Sequence, residues 1–153
     1  MKPRPRTALR ITFLATMGAG IACSLITAAE PPTFSETARA LAGTLKAGKD
    51  ITPFVDAQAP CVFIKRFVDE AGKETVKKTG PLPGLQILKN KVLQERLRIV
   101  TEDMANGPEV TLDERAMTLT YEGLSGYWRL TITLKESRSG WHIVAFEAYD
   151  ETP

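Results

Sequence analysis

From Ala116 to Tyr149 apolar and polar residues alternate in three runs, AMTLTYEG, YWRLTITLKES and WHIVAFEAYD. Trp, Tyr, Phe, Ile, Val and Thr dominate them, residues that suit a pleated, half-buried surface. The links are short and contain Gly126 and Gly140, and connections of this length join antiparallel neighbours, so the pattern predicts a meander. Upstream the period changes. Phe34, Ala38, Leu41, Ala42 and Leu45 share one face at helical spacing, behind a capping box made by Thr33 and Glu36, with Gly48 as terminator. Asp50 to Asp56 reads as a short helical turn with Pro53 in its first position. Cys61 to Val68 reads as a strand, and Glu74 to Thr79 as a polar edge strand pairing back on it.

Gly80 to Gly84 breaks the chain, and Leu85, Leu88 and Val92, flanked by Ile87, predict a helical face that runs to about Glu95. Leu97 to Met104 then reads as extended, Ala105-Asn106-Gly107-Pro108 as a turn, and Glu109 to Glu114 as a short extension before the meander. Within WHIVAFEAYD, strict alternation sets Trp141, Ile143, Ala145 and Glu147 against His142, Val144, Phe146 and Ala148. Both rows are largely apolar, which predicts a central strand covered on both sides, one of them by the rest of the chain or by a dimer partner. Arg129, Thr131 and Thr133 form a row opposite Trp128, Leu130, Ile132 and Leu134, either a solvated face or a polar pocket or interface.

Helices segregated from an antiparallel sheet predict an α+β layer architecture. The element order resembles the cystatin-like α+β roll of the nuclear transport factor 2-like superfamily, with its ketosteroid isomerase and polyketide-cyclase-like branches. The resemblance is carried by the Leu41/Leu45 helix, the Phe54-to-Ile64 passage, the Gly84–Leu93 helix and the Gly140-Trp141-His142-Ile143 start of the last strand. It covers Phe34 to Tyr149 and implies a curved antiparallel sheet packed on the N-terminal and middle helices, with a conical pocket. It also implies frequent dimers and roles that range from enzymes to proteins that only bind or assemble. The Tyr–Asp–Asp set of the isomerase branch does not align here, so no catalytic residue is carried over.

The N-terminus changes the picture of charge. Lys2, Arg4, Arg6 and Arg10 precede an uncharged run from Ile11 to Ala29, the pattern of a secretory signal peptide cut before Glu30. The expected organisation is therefore a leader over 1–29 and a single α+β domain over 30–153, in a periplasmic or extracellular location, with no membrane contact after cleavage. The rival expectation is an inner-membrane anchor through residues 11–29; a third, lipidation at Cys23, lacks the usual apolar residue three places before the cysteine. The leader holds four of the chain's 20 basic residues and none of its 18 acidic ones, so the mature part carries 16 and 18, a formal charge of −2. No basic cluster suggests nucleic acid. Without Cys23, Cys61 is the one thiol left, too few for an internal disulfide, and reads as a small buried hydrophobe.

Candidate chemistry is sparse. His142 is the single histidine, and the chain lacks a nucleophile-elbow motif, a zinc-ligand set, a dinucleotide fingerprint and a P-loop; no cofactor and no metal are expected. Paired carboxylates are the remaining acid–base option, with Glu147, Asp103 and Glu122 as candidates and Tyr121 and His142 as further pocket residues. Trp128, Tyr121, Tyr127 and Trp141 could line a pocket or pack the core. Three readings stay open. The first is a non-catalytic ligand-binding or assembly module, taking a small apolar ligand in the pocket or forming a homodimer through an open sheet face. The second is a small-molecule isomerase, cyclase or hydrolase-like enzyme using pocket carboxylates. The third is a membrane-anchored subunit of an envelope complex.

Overall fold

The computed structural model describes residues 29–123 and 126–151; apart from Ala29, the expected leader lies outside the described residues. Helix α1 (Phe34–Lys46) begins at the capping box expected for it. Thr33 Oγ1 accepts from the Glu36 amide at 3.3 Å, and Glu36 Oε2 accepts from the Thr33 amide at 2.8 Å. This exchange satisfies amides that have no partner inside the helix and holds the Glu36 carboxyl below its ordinary range. The helix buries Thr37, Ala38, Leu41 and Leu45 and stops before Gly48, whose φ is +63°. A single 3-10 turn, Thr52–Phe54, carries Pro53 near its start.

Strands β1 (Pro60–Val68) and β2 (Glu74–Pro83) form a hairpin closed by Asp69, which accepts from the amides of Ala71 and Lys73. Two helices follow where one was expected. Helix α2 (Gly84–Leu88) ends at Lys89, and Asn90 starts α3 (Lys91–Asp103) by accepting from the amides of Val92 at 2.9 Å and Leu93 at 3.1 Å. The cap resets the helical phase. Ile87, Leu88 and Leu93 are buried, whereas Leu85 and Val92, assigned to the inner face by spacing, are exposed.

The expected extended segment Leu97 to Met104 is helical. Leu93, Leu97, Val100 and Met104 recur at helical spacing on the core side, and Arg98 bridges Glu95 and Glu102 along the exposed face. The alternation of Leu97, Ile99 and Thr101 imitated a strand because buried Arg96 interrupts the apolar stripe that marks the helix. A 3-10 turn, Met104–Asn106, leads to Gly107 at φ +74°.

Strands β3 (Glu109–Leu112), β4 (Ala116–Gly123), β5 (Gly126–Ser137) and β6 (Gly140–Glu151) make the expected antiparallel meander. The sheet itself is mixed, a correction to the all-antiparallel expectation: β6 lies parallel to β1, giving six strands in the order β2-β1-β6-β5-β4-β3. The result is an α+β architecture, a curved, unclosed sheet with helices packed on its inner face. Phe63, Met117, Leu119, Leu130, Ile132, Phe146 and Ala148 project from the strands toward Ala38, Leu41, Leu93 and Val100 of the helices. No helix among the described residues is long and apolar enough to cross a membrane.

One irregularity reorganises β6. Thr133 pairs with Ala145 but Leu134 pairs with Ile143, so Val144 is an extra residue against β5. Such a bulge switches the side to which following residues point. Ile143 is thereby buried on the same side as Phe146 and Ala148, which corrects the strict alternation expected for this strand. The strand is central, with β1 and β5 as neighbours, and among the described residues the helices cover its inner side. The outer side stays half-exposed along Val62, Ile64, Thr131, Thr133, Ala145 and Glu147.

Candidate functional site

The open end of the roll lies where α3 meets the C-terminal parts of β1 and β6 and the start of β5. Even residues of β6 reach the inner side here, so Asp150 follows Phe146 and Ala148 and faces α3. From the helix, Arg96 occupies the position between Leu93 and Leu97 and is 8% exposed. Its guanidinium pairs with the Asp150 carboxylate, and Lys65 Nζ of β1 lies 3.9 Å from the same group. A cation buried this far needs such a partner, because desolvation would otherwise disfavour it strongly.

The aromatic wall is built from the neighbouring strands. Tyr121 and Trp128 are register partners on β4 and β5, and their rings stack with centroids 5.7 Å apart. Trp128 Nε1 donates to Asp103 Oδ2 at 2.8 Å, and the Arg96 guanidinium carbon sits 6.0 Å from the Trp128 ring centroid. Two adjoining depressions open beside this group. One, of about 350 Å³, runs over Phe63, Val92, Ile99 and Ala148; the other, of about 430 Å³, is bordered by Phe67, Asp103, Trp128 and Glu151. They share Arg96 and Ile99. Both open to solvent, and the side chains of α1 and α3 pack against the inner side of the sheet beside them.

Of the five residues singled out from sequence, Asp103 and Tyr121 come together here, both against Trp128. The other three lie elsewhere. Glu147 is on the outer side of the sheet, where Oε1 accepts from Arg66 Nε at 2.8 Å. Arg66 also reaches Glu74 at 2.9 Å, and the two carboxylates push its guanidinium pKa further up. Glu122 is exposed on the outer side of β4, opposite Tyr127. His142 sits at the other end of the roll, its Nε2 2.7 Å from Ser137 Oγ and 3.0 Å from Ser139 Oγ, beside a depression bordered by Pro32, Phe54 and Trp141.

Lys65, Arg96 and Asp150 were not singled out from the sequence. Arg96 carried a signal: an arginine inside the Leu93/Leu97/Val100 stripe is a charge on a core face, and such a charge implies a buried partner. Among the described residues no group of three or more His, Cys, Asp or Glu side chains could hold a metal ion. Every fully buried side-chain nitrogen or oxygen among them has a hydrogen-bond partner. Arg96, Asp150 and Lys65 at the open end pair with one another, an arrangement that fixes the shape of the surface there.

No family model matches the sequence, and no curated protein matches it. Among solved structures, the chain is similar to an NTF2-like protein of unknown function from Shewanella baltica OS155, at 12% identity and a TM-score of 0.36, covering 78% of this chain and 92% of that one. It is also similar to a DUF4783 family protein from Bacteroides fragilis YCH46, at 8% identity and a TM-score of 0.30, covering 71% of this chain and 86% of that one. A putative calcium/calmodulin dependent protein kinase II association domain from Xanthomonas campestris gives 13% identity and a TM-score of 0.29, covering 76% of this chain and 84% of that one.

Proposed function

We propose that this chain is a non-catalytic binding module, exported by its N-terminal leader, that takes a small ligand at the open end of the roll. The observation that carries this reading is the mutual pairing of Arg96 with Asp150 and of Trp128 with Asp103 around an apolar floor. A preformed, mostly apolar recess with a few fixed polar groups suits recognition. An acid–base enzyme would need carboxylates converging on one point, and Glu147 and Glu122 stand on the outer side of the sheet, away from Asp103. The acid–base reading therefore loses two of its three candidates.

A homodimer through the outer side of the sheet is a second reading, favoured by the half-exposed row Val62, Ile64, Thr131, Thr133 and Ala145 on the central strands. Native mass spectrometry of protein released gently from its host's envelope tests these readings together. A chain beginning near Glu30 with a reproducible bound small molecule supports the binding module. A ligand-free dimer that Ala145→Lys converts to monomer supports assembly instead. An uncut N-terminus supports the anchored subunit, and a ligand-free monomer contradicts both the first and second readings.

A further inference from the structure

The recess over Phe63 and Ile99 does not end at β1. Lys65 borders both it and a neighbouring depression of about 310 Å³ bounded by Phe67, Thr75 and Lys77. Lys65 and Lys77 are register partners on β1 and β2, so their side chains leave the sheet on the same side. The two depressions form one trough. Its apolar surface includes Val92 and Phe67, which are 46% and 37% exposed, large side chains that water solvates poorly and a hydrocarbon would cover.

Charge is distributed unevenly along this trough. Lys65, Lys77, Lys91 and Arg96 border it. The two carboxylates nearby are engaged, Glu95 by Arg98 and Asp150 by Arg96 and Lys65. Lys77 and Lys91 form no ion pair among the described residues. Past Arg96 the sign changes, since the adjoining depression is bordered by Asp103 and Glu151, which have no cationic partner among the described residues, as well as by the ion-paired Glu102 and Asp150. An anionic group is thus attracted to the lysine side and repelled from the other end, which fixes the orientation of a ligand that has one charged terminus.

We infer that the trough binds a small amphiphile with a single carboxylate, its hydrocarbon chain over Phe63, Phe67, Val92 and Ile99 and its carboxylate at Lys65 and Lys91. This inference rests on the binding reading above and adds the ligand's chemistry to it. The recess volume of about 350 Å³ lies at the small end of the range of roughly 300–1,000 Å³ typical of ligand sites. Such a size suits a medium-length chain.

Isothermal titration of the leader-free chain with sodium decanoate and with decan-1-ol tests the assignment. Decanoate should bind one to one and at least about tenfold more tightly than the alcohol. Lys65→Gln and Lys91→Gln should each weaken decanoate about fivefold while leaving the alcohol unchanged, and Lys46→Gln on α1 should change neither. Equal affinity for the two probes, or lysine variants that bind decanoate normally, would overturn the carboxylate assignment. A molecule retained in native mass spectra would still uphold the binding module in that case. Absence of binding by both probes overturns the inference outright.

Discussion

The indole of Trp128, on β5, donates its one hydrogen bond to Asp103, the last residue of α3, at 2.8 Å. This contact ties the end of a helix to the sheet it packs against. Trp128 is 4% exposed, so its N–H has no ready access to water. Asp103→Ala should lower stability by about 1–3 kcal/mol, the cost of leaving a buried donor unpaired. Asp103→Asn keeps an acceptor oxygen and should lose less. Urea unfolding followed by tryptophan emission measures both, and equal losses would show that the acceptor is not what matters.

Glu147 is predicted to matter little for the recess. Its carboxylate and that of Glu74 flank Arg66 on a half-exposed surface, where such pairs contribute at most about 1 kcal/mol. Glu147→Gln should shift the melting temperature only slightly and leave ligand affinity unchanged. A loss of binding in this variant would return Glu147 to the ligand site.

Cys61 is 1% exposed, and burial pushes the pKa of its thiol from an ordinary 9.0 up to about 11. The folded state therefore holds this proton more tightly than the unfolded state. Stability from this group is intact below about pH 9 and is lost as pH rises through 11, by at most roughly 3 kcal/mol. Cys61→Ala should flatten that part of the stability profile. Native protein should also resist Ellman's reagent at pH 8, and rapid labelling there would contradict the burial.

Gly84 is a position where a side chain cannot be added cheaply. A Cβ there would lie 2.2 Å from Val55 Cγ1 and 2.5 Å from the Asp56 carbonyl oxygen. Backbone cannot withdraw as a flexible side chain can, so Gly84→Ala should destabilise by about 1–3 kcal/mol. Calorimetry would show this as a lowered melting temperature. Gly43→Ala, in open space on α1, is the control and should be neutral or slightly stabilising.

The sequence carried the local rules well and the long-range ones poorly. The Thr33/Glu36 box, the Gly48 stop and the meander follow from contacts between residues close along the chain, and all are present. The faces of α2 and α3 were misassigned because a single cap at Asn90 shifts the helical phase, and spacing counted across it places Leu85 and Val92 inside. The β6 faces were misassigned at Val144, since a bulge depends on the partner strand and leaves no mark in its own alternation. Asp103 and Tyr121 were named as pocket candidates and both sit against Trp128, a residue that the sequence reads equally well as plain core. Arg96 and Asp150 are 54 residues apart, and the seating of β6 between β1 and β5 is what turns Asp150 toward the helix.

That seating also governs the order in which the molecule can be completed. Arg66 and Glu147, joined across β1 and β6, are 81 residues apart in sequence. The β1–β2 hairpin has no other strand beside it, so until the final strand is available the sheet exists as two unconnected pieces. Contacts this distant slow folding, because the loop between them must be closed first. A chain crossing a membrane N-terminus first would deliver β6 last. It would stay incomplete, with the β1 edge open to wrong partners, until nearly its whole length had arrived.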